Sequence, residues 1–340
     1  PGESHSLWHS PMSRRLTQLA PSLLLIVVTG TVAAAVGRFT SSVDGQRLLQ
    51  WSQGQSRSAI HTGSLDYPRT AIDSGGYTVH IPGTPRRIVS QYWAIDEFVY
   101  SVVPPERVVA VSASAYLRTV SNVYRHVERF HPVIAADPER VLRLDPDLIL
   151  VSDTSRPDFC AIVRDAHIPI YRMFTSFTTL QQIADGIHLI GYLTGEDQRA
   201  RVEAQKFWAA INNAKAMRPA NGSPPRILGY SGGFTYGADT LFDDVVHTLG
   251  GVNVGAAGGL KGYDEATSEQ IIRWNPDWIV TSADSGKEKQ VLANLLADPG
   301  IALTNAARNR HILVVPTNVF LPMSPFTANF VTFLAEKLYG

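Results

Sequence analysis

The chain of 340 residues holds a single cysteine, Cys160. One thiol makes no intrachain disulfide and no cysteine-based metal cage, so the fold has to rest on buried apolar surface. Within C-A-I-V that thiol reads as the inward side of a helix, where cysteine packs as a small hydrophobe. Net charge is missing as well. Thirty Lys and Arg balance thirty Asp and Glu, and charged residues make up only 18%, which leaves no broad basic surface for nucleic acid or anionic lipid. No G-x-G-x-x-G follows the first strand-like run, where Ser90-Gln91-Tyr92-Trp93 stands instead, and this excludes a dinucleotide fingerprint at that point. His126 and His131 lie apart from any compact cluster of His and Asp, so no metal site and no resident cofactor is expected.

What is present starts with an address. Arg14 and Arg15 precede an apolar run from Leu19 to Val36 that ends in Ala33, Ala34 and Ala35. Basic, apolar, then small is the order of a secretory signal, and residues 1–37 read as such a signal or, because a run of about 18 apolar residues approaches spanning length, as an uncleaved anchor. Export to the periplasm is expected either way. Met12 is a candidate start, and no cysteine follows the run to carry a lipid. Residues 38–76, rich in Ser, Gly, Gln and Thr, read as a flexible tether.

At 44% apolar the chain is long enough for about two cores. Short apolar runs R-I-V-S (87–90), V-V-A-V-S (108–112), L-I-L-V-S (148–152) and I-P-I-Y-R-M (168–173), with helical stretches between them, describe buried parallel strands. They define a first α/β domain over 77–177. From 178 to 217 apolar residues recur at helical spacing from Leu180 to Ile211, and only Gly195 suggests a bend. Strands resume at R-I-L-G-Y (226–230), D-W-I-V-T-S (277–282) and H-I-L-V-V-P (311–316), followed by a last helix from Pro325 to Leu338. The expectation is a second α/β lobe over 218–340, joined to the first by a helical spacer.

A repeat ties the two lobes together. P-E-R-V-L-R-L-D-P-D-L-I-L-V-S (138–152) returns as E-Q-I-I-R-W-N-P-D-W-I-V-T-S (269–282), with Glu139, Arg143, Pro146, Asp147, Ile149 and Ser152 recurring as Glu269, Arg273, Pro276, Asp277, Ile279 and Ser282. In each lobe a helix opens just before the glutamate, runs into an X-P-D turn and feeds a core strand. Glutamate in a first helical turn is favoured by the helix dipole, so capping alone is one reading of Glu139 and Glu269.

One competing motif needs weighing. Gly229-Tyr230-Ser231-Gly232-Gly233 matches G-x-S-x-G after a strand, and Asp243, Asp277 and His311 follow in the order of an α/β-hydrolase triad. A glycine-rich loop follows Ser231 where a helix is needed, and no His-Gly segment precedes it to form an oxyanion hole. A turn lining a cleft is the better expectation, and the chain reads as non-catalytic.

V-H-I-P-G-T-P-R-R-I-V-S (79–90), P-E-R-V-V-A-V-S (105–112), the paired P-E and P-D modules, L-I-G-Y-L-T-G-E-D-Q-R-A (189–200) and L-F-D-D-V-V-H-T-L-G-G-V-N-V (241–254) together resemble the substrate-binding proteins of ABC importers for ferric siderophores, haem and cobalamin. The resemblance covers residues 77–340. It implies two Rossmann-like α/β lobes joined by a single long rigid helix, with a ferric siderophore, haem or corrinoid held in the cleft between them. It also implies a monomer that meets ABC permease subunits, and by motif match it gives Glu139 and Glu269 the role of docking onto them. Two lobes facing a pseudo-symmetric pair of subunits need the same charge twice.

In open α/β sheets ligands sit beyond the carboxyl ends of the strands. On the first lobe this selects Gln91, Tyr92, Trp93, Tyr116, Arg118, Arg156, Arg172 and Phe174; on the second, Phe234, Tyr236, Tyr263 and Phe320. Aromatic rings supply flat apolar contact, and arginines suit the anionic groups of a chelate or a propionate. No sequence pattern separates hydroxamate, catecholate, haem and corrinoid.

Overall fold

A computed structural model describes residues 66–340 apart from 128, 134–136 and 321. The segment expected as a signal or anchor, 1–37, and most of the expected tether lie outside the described residues. Among the described residues no helix is long and apolar enough to cross a membrane.

The chain enters through an antiparallel hairpin, β1 (Arg69–Ile72) and β2 (Thr78–Ile81), whose side chains alternate between buried and exposed. Arg69 is only 4% exposed; its guanidinium donates to the Tyr192 carbonyl at 2.6 Å and pairs with Asp197 at 2.8 Å. The expected tether to residue 76 is therefore too long, and the folded body starts by Arg69. A four-residue strand with polar alternate positions gives too little apolar signal to stand out from linker composition.

The first lobe is a parallel sheet of β3 (Ile88–Ser90), β4 (Val108–Ser112), β5 (His131–Val133), β6 (Leu148–Ser152) and β7 (Ile170–Met173), in the order β5-β4-β3-β6-β7. Helices α1 (Trp93–Val102), α2 (Pro138–Leu142) and α3 (Pro157–Asp165) connect the strands. The order reverses at β3, which makes the gap beyond β3 and β6 the topological switch point.

The expected spacer is helical but divided: α4 (Leu180–Thr194) and α5 (Asp197–Ala216) are separate helices. Gly195 caps α4 at φ 76°, a left-handed conformation that glycine takes without steric cost. A Cβ on Gly191 would stand 2.4 Å from the Ala200 Cβ, so α5 folds back against α4 at backbone contact. Helical periodicity persists on both sides of this turn, which is why the sequence reads as one bent helix.

The second lobe has β8 (Arg226–Ser231), β12 (Trp278–Ala283) and β13 (Ile312–Pro316) in parallel, β10 (Val252–Asn253) parallel to the start of β8, and an antiparallel extension through β9 (Phe234–Tyr236) and β11 (Tyr263–Glu265). Around it lie α6 (Leu241–Thr248), α7 (Val254–Ala257), α8 (Ser268–Trp274), α9 (Glu288–Ala297), α10 (Pro299–Ala302), α11 (Asn305–Arg308) and α12 (Thr327–Tyr339). One continuous core runs from Phe98 and Leu148 through Ile187 and Phe207 to Phe242, Val280 and Phe330. Satellite clusters under α3 and α8 close the outer faces, and Cys160 is fully buried in the first of them.

The repeat has a structural basis. The residues before Pro146 and Pro276, Asp145 and Asn275, both hold positive φ, 48° and 39°. The Asp147 carboxylate then accepts from the Arg86 and Arg87 amides at 2.6 and 2.8 Å, while Asp277 accepts from the Arg226 amide at 3.3 Å. In both lobes the same aspartate fastens the start of one strand to the start of its neighbour. The glutamates do something else. Glu139 and Glu269 stand exposed in the first turns of α2 and α8, and Glu139, its side chain 84% exposed, lies 3.8 Å from Arg143.

Candidate ligand cleft

The loops beyond the strand ends of the two lobes meet directly. Asn122, in the segment after β4, donates to the Asn318 carbonyl at 2.8 Å, and Asn318, just past β13, returns a bond to the Asn122 amide oxygen at 3.3 Å. Beneath this pair Glu97 of α1 is fully buried. Its carboxyl accepts from the Asn122 backbone and side-chain amides at 2.7 and 3.0 Å, and from the Ser324 hydroxyl at 2.5 Å across the joint. Burial pushes Glu97 up to about 7, against the pull of those donors. Its neighbour Asp96, buried against the Ser112 amide and hydroxyl, is also pushed up to about 7 by burial. Neither acid figured in the sequence reading, although two adjacent carboxylates inside the apolar W-A-I-D-E-F-V stretch were the available signal.

On the first lobe's rim the Tyr92 and Trp93 rings lie 5.7 Å apart. Gln91 extends β3 by donating its amide N–H to the Leu150 carbonyl at 3.0 Å, which places it at the switch point. The residue is 5% exposed, and among the described residues neither Nε2 nor Oε1 has a hydrogen-bond partner. A buried polar group without a partner costs about 1–3 kcal/mol. Beside it, past β6, the Asp153 carboxyl accepts from the Thr175 amide and hydroxyl at 3.1 and 2.8 Å.

On the second lobe three of the expected aromatics form one cluster. Tyr236 lies 5.3 Å from Tyr263 and 5.6 Å from Phe320, and Phe320 is anchored on Phe330 at 5.2 Å. Phe234 stands two residues back on β9, paired with Glu265 of β11. Phe174 packs edge-on to Phe177 at 6.2 Å.

The remaining first-lobe candidates are engaged within their own lobe. The Tyr116 hydroxyl donates to the Phe130 carbonyl. Arg118 stacks over Tyr124 at 5.4 Å, Arg156 pairs with Asp158 at the start of α3, and Arg172 donates to the Asp153 carbonyl at 2.5 Å. A groove of about 470 Å³ on the outer side of α4 and α5, lined by His188, Arg201 and Trp208 among others, lies apart from the strand ends.

The hydrolase alternative dissolves in the geometry. Ser231 and Phe234 pair across a two-residue hairpin, Gly232 and Gly233 at φ 61° and 93°, so the match to G-x-S-x-G is a β-turn. His311 stacks on Trp278 at 4.1 Å, and Asp243 accepts from Asn253 at 3.0 Å.

The family pattern of the periplasmic binding proteins matches residues 88–319. The chain is 26% identical over 262 residues to a cobalamin-binding protein of Halobacterium salinarum, covering 75% of this chain and 70% of that one. It is 24% identical over 289 residues to the uncharacterized ABC transporter substrate-binding lipoprotein YvrC of Bacillus subtilis, covering 80% and 86%. Among solved structures it matches the periplasmic haem-binding protein RhuT from Roseiflexus sp. RS-1, with a TM-score of 0.64, 26% identity and coverage of 75% and 98%. The haem-binding protein HutB of Vibrio cholerae shares the fold at a TM-score of 0.64 and 23% identity, with coverage of 75% and 99%. With two α/β lobes meeting at their strand ends and a match spanning both, the chain belongs to the periplasmic binding protein family.

Proposed function

We propose that this protein is an exported, non-catalytic carrier that captures an iron chelate, either a ferric siderophore or haem, or else a corrinoid, between its lobes and delivers it to an ABC permease. The observation that carries the reading is the aromatic cluster of Tyr236, Tyr263 and Phe320, set on a lobe whose strand-end loops meet those of the lobe bearing Tyr92 and Trp93. Flat rings held by a packed base offer broad apolar contact with few rotamers left to freeze, which suits a large planar or caged metal complex. Relatives named for haem and cobalamin support the same class. The solvent-facing Glu139 and Glu269 supply one carboxylate per lobe for a permease that presents cations twice.

The test is a tryptophan-fluorescence titration of residues 38–340 with ferric hydroxamate, ferric catecholate, haem and cyanocobalamin, corrected for inner-filter loss. Saturable binding of one of them at micromolar strength or tighter is expected, and alanine at both Trp93 and Tyr236 should weaken it. Binding of none would refute the carrier reading.

A further inference from the structure

Within that carrier reading, we propose that the ligand is a neutral macrocycle bearing primary carboxamides, a corrinoid, and that the Gln91 amide recognises one of those carboxamides.

Two observations lead there. The first is the orphaned amide. Gln91 sits at the switch point, 5% exposed, with both its donor and its acceptor unpartnered. Turning the amide over exchanges the two atoms and leaves the same deficit, one donor and one acceptor without partners. A group that satisfies both must itself donate and accept in one plane. A primary carboxamide does so, whereas a carboxylate only accepts and would set its lone pairs against Oε1. Haem presents carboxylates at its rim and a corrinoid presents carboxamides.

The second observation is the charge around the cleft. Of three arginines suited by type to anionic groups, Arg156 is neutralised by Asp158, while Arg172, which donates to the Asp153 carbonyl but leaves its buried Nε unpartnered among the described residues, and Arg118, over the Tyr124 ring, keep their charge. Acids stand beside the aromatic candidates of both lobes, Asp153 near Tyr92 and Asp264 and Glu265 next to Tyr263 on β11, and offset the arginines there. Acidic walls and an unpaired amide disfavour propionates and catecholates and tolerate an amide-rimmed ligand. A macrocycle reaches Gln91 only once the side chains covering it draw aside, so recognition accompanies a rearrangement of the cleft.

The experiment is a titration of the purified protein with cyanocobalamin, with cyanocobalamin derivatives in which one propionamide is hydrolysed to the acid, with haem and with a ferric hydroxamate. The expected result is tightest binding of cyanocobalamin, with one monocarboxylate isomer weaker by about tenfold or more, the scale of one lost buried hydrogen-bond pair. Gln91→Leu should lose about tenfold on cyanocobalamin and no longer single out that isomer, whereas the isosteric Gln91→Glu, which sets a carboxylate against a carboxylate, should lose about tenfold on cyanocobalamin and penalise that isomer at least as strongly. Should a variant fail to fold, the ligand series on the native protein decides alone. Haem or the ferric hydroxamate binding more tightly than cyanocobalamin overturns the proposal and leaves the carrier reading intact, and so does equal affinity across all isomers. If none of these ligands binds while a ferric catecholate does, the proposal falls and the carrier reading stands; if the catecholate fails as well, both fall together.

Discussion

Glu97 is a carboxyl that the fold holds protonated longer than the unfolded chain does. Its ordinary value of 4.5 rises to about 7 in the folded state, and that of Asp96 rises from 3.8 to about 7. Between those limits the native protein binds protons that the unfolded chain has released. These acids therefore contribute stability that is complete below their unfolded values and is lost as pH rises through about 7. The melting temperature should fall between pH ~5 and ~8, and Glu97→Gln, which stays neutral, should flatten that fall; an unchanged slope would place the titration elsewhere. Single residues were only partly legible in the sequence. Three of the aromatics picked at strand ends, Tyr236, Tyr263 and Phe320, pack together in the fold. That Arg156 and Arg172 would be engaged by Asp158 and the Asp153 carbonyl was not readable, because those contacts depend on loop geometry that side-chain type does not encode.

Elements were read best where burial on both faces leaves a continuous apolar run, as in L-I-L-V-S and V-V-A-V-S. They were missed where a strand is short and half-solvated, as in β1, β9 and β11, or carries a proline, as β5 does at Pro132. The repeat was visible as sequence, but its aspartate and its glutamate sit in different surroundings, and only the fold separates them. The Pro-Asp turn is a strand fastener. Asp147→Ala and Asp277→Ala should each cost about 1 kcal/mol in urea unfolding, a modest loss because the freed strand amides are near solvent. Gly195→Ala should cost about 1–2 kcal/mol, since any Cβ at φ 76° is strained, and the Tyr67 hydroxyl stands 2.7 Å from where that Cβ would lie.

For the whole molecule, the two-lobe plan was legible because both lobes carry the same helix-turn-strand module at the same place in their sheets. The turn between α4 and α5 was not, since both helices keep their apolar stripe across it. The glutamates lead to a prediction at this scale. Reversing Glu139 and Glu269 to Lys together should abolish permease-dependent uptake in cells while leaving ligand affinity measured on the purified protein unchanged; an equal loss of affinity would remove them from any docking role. One further consequence lies in the sheet margins. The β5 margin carries Pro132, whose nitrogen has no hydrogen to offer a neighbouring chain. The β7 margin is partly occupied, its Arg172 carbonyl taken by the Ser74 amide. The β11 margin is three residues long and ends in Asp264 and Glu265. Margins blunted in these ways offer other copies a poor template on which to grow fibrils, which leaves β13 as the longer margin of the second sheet.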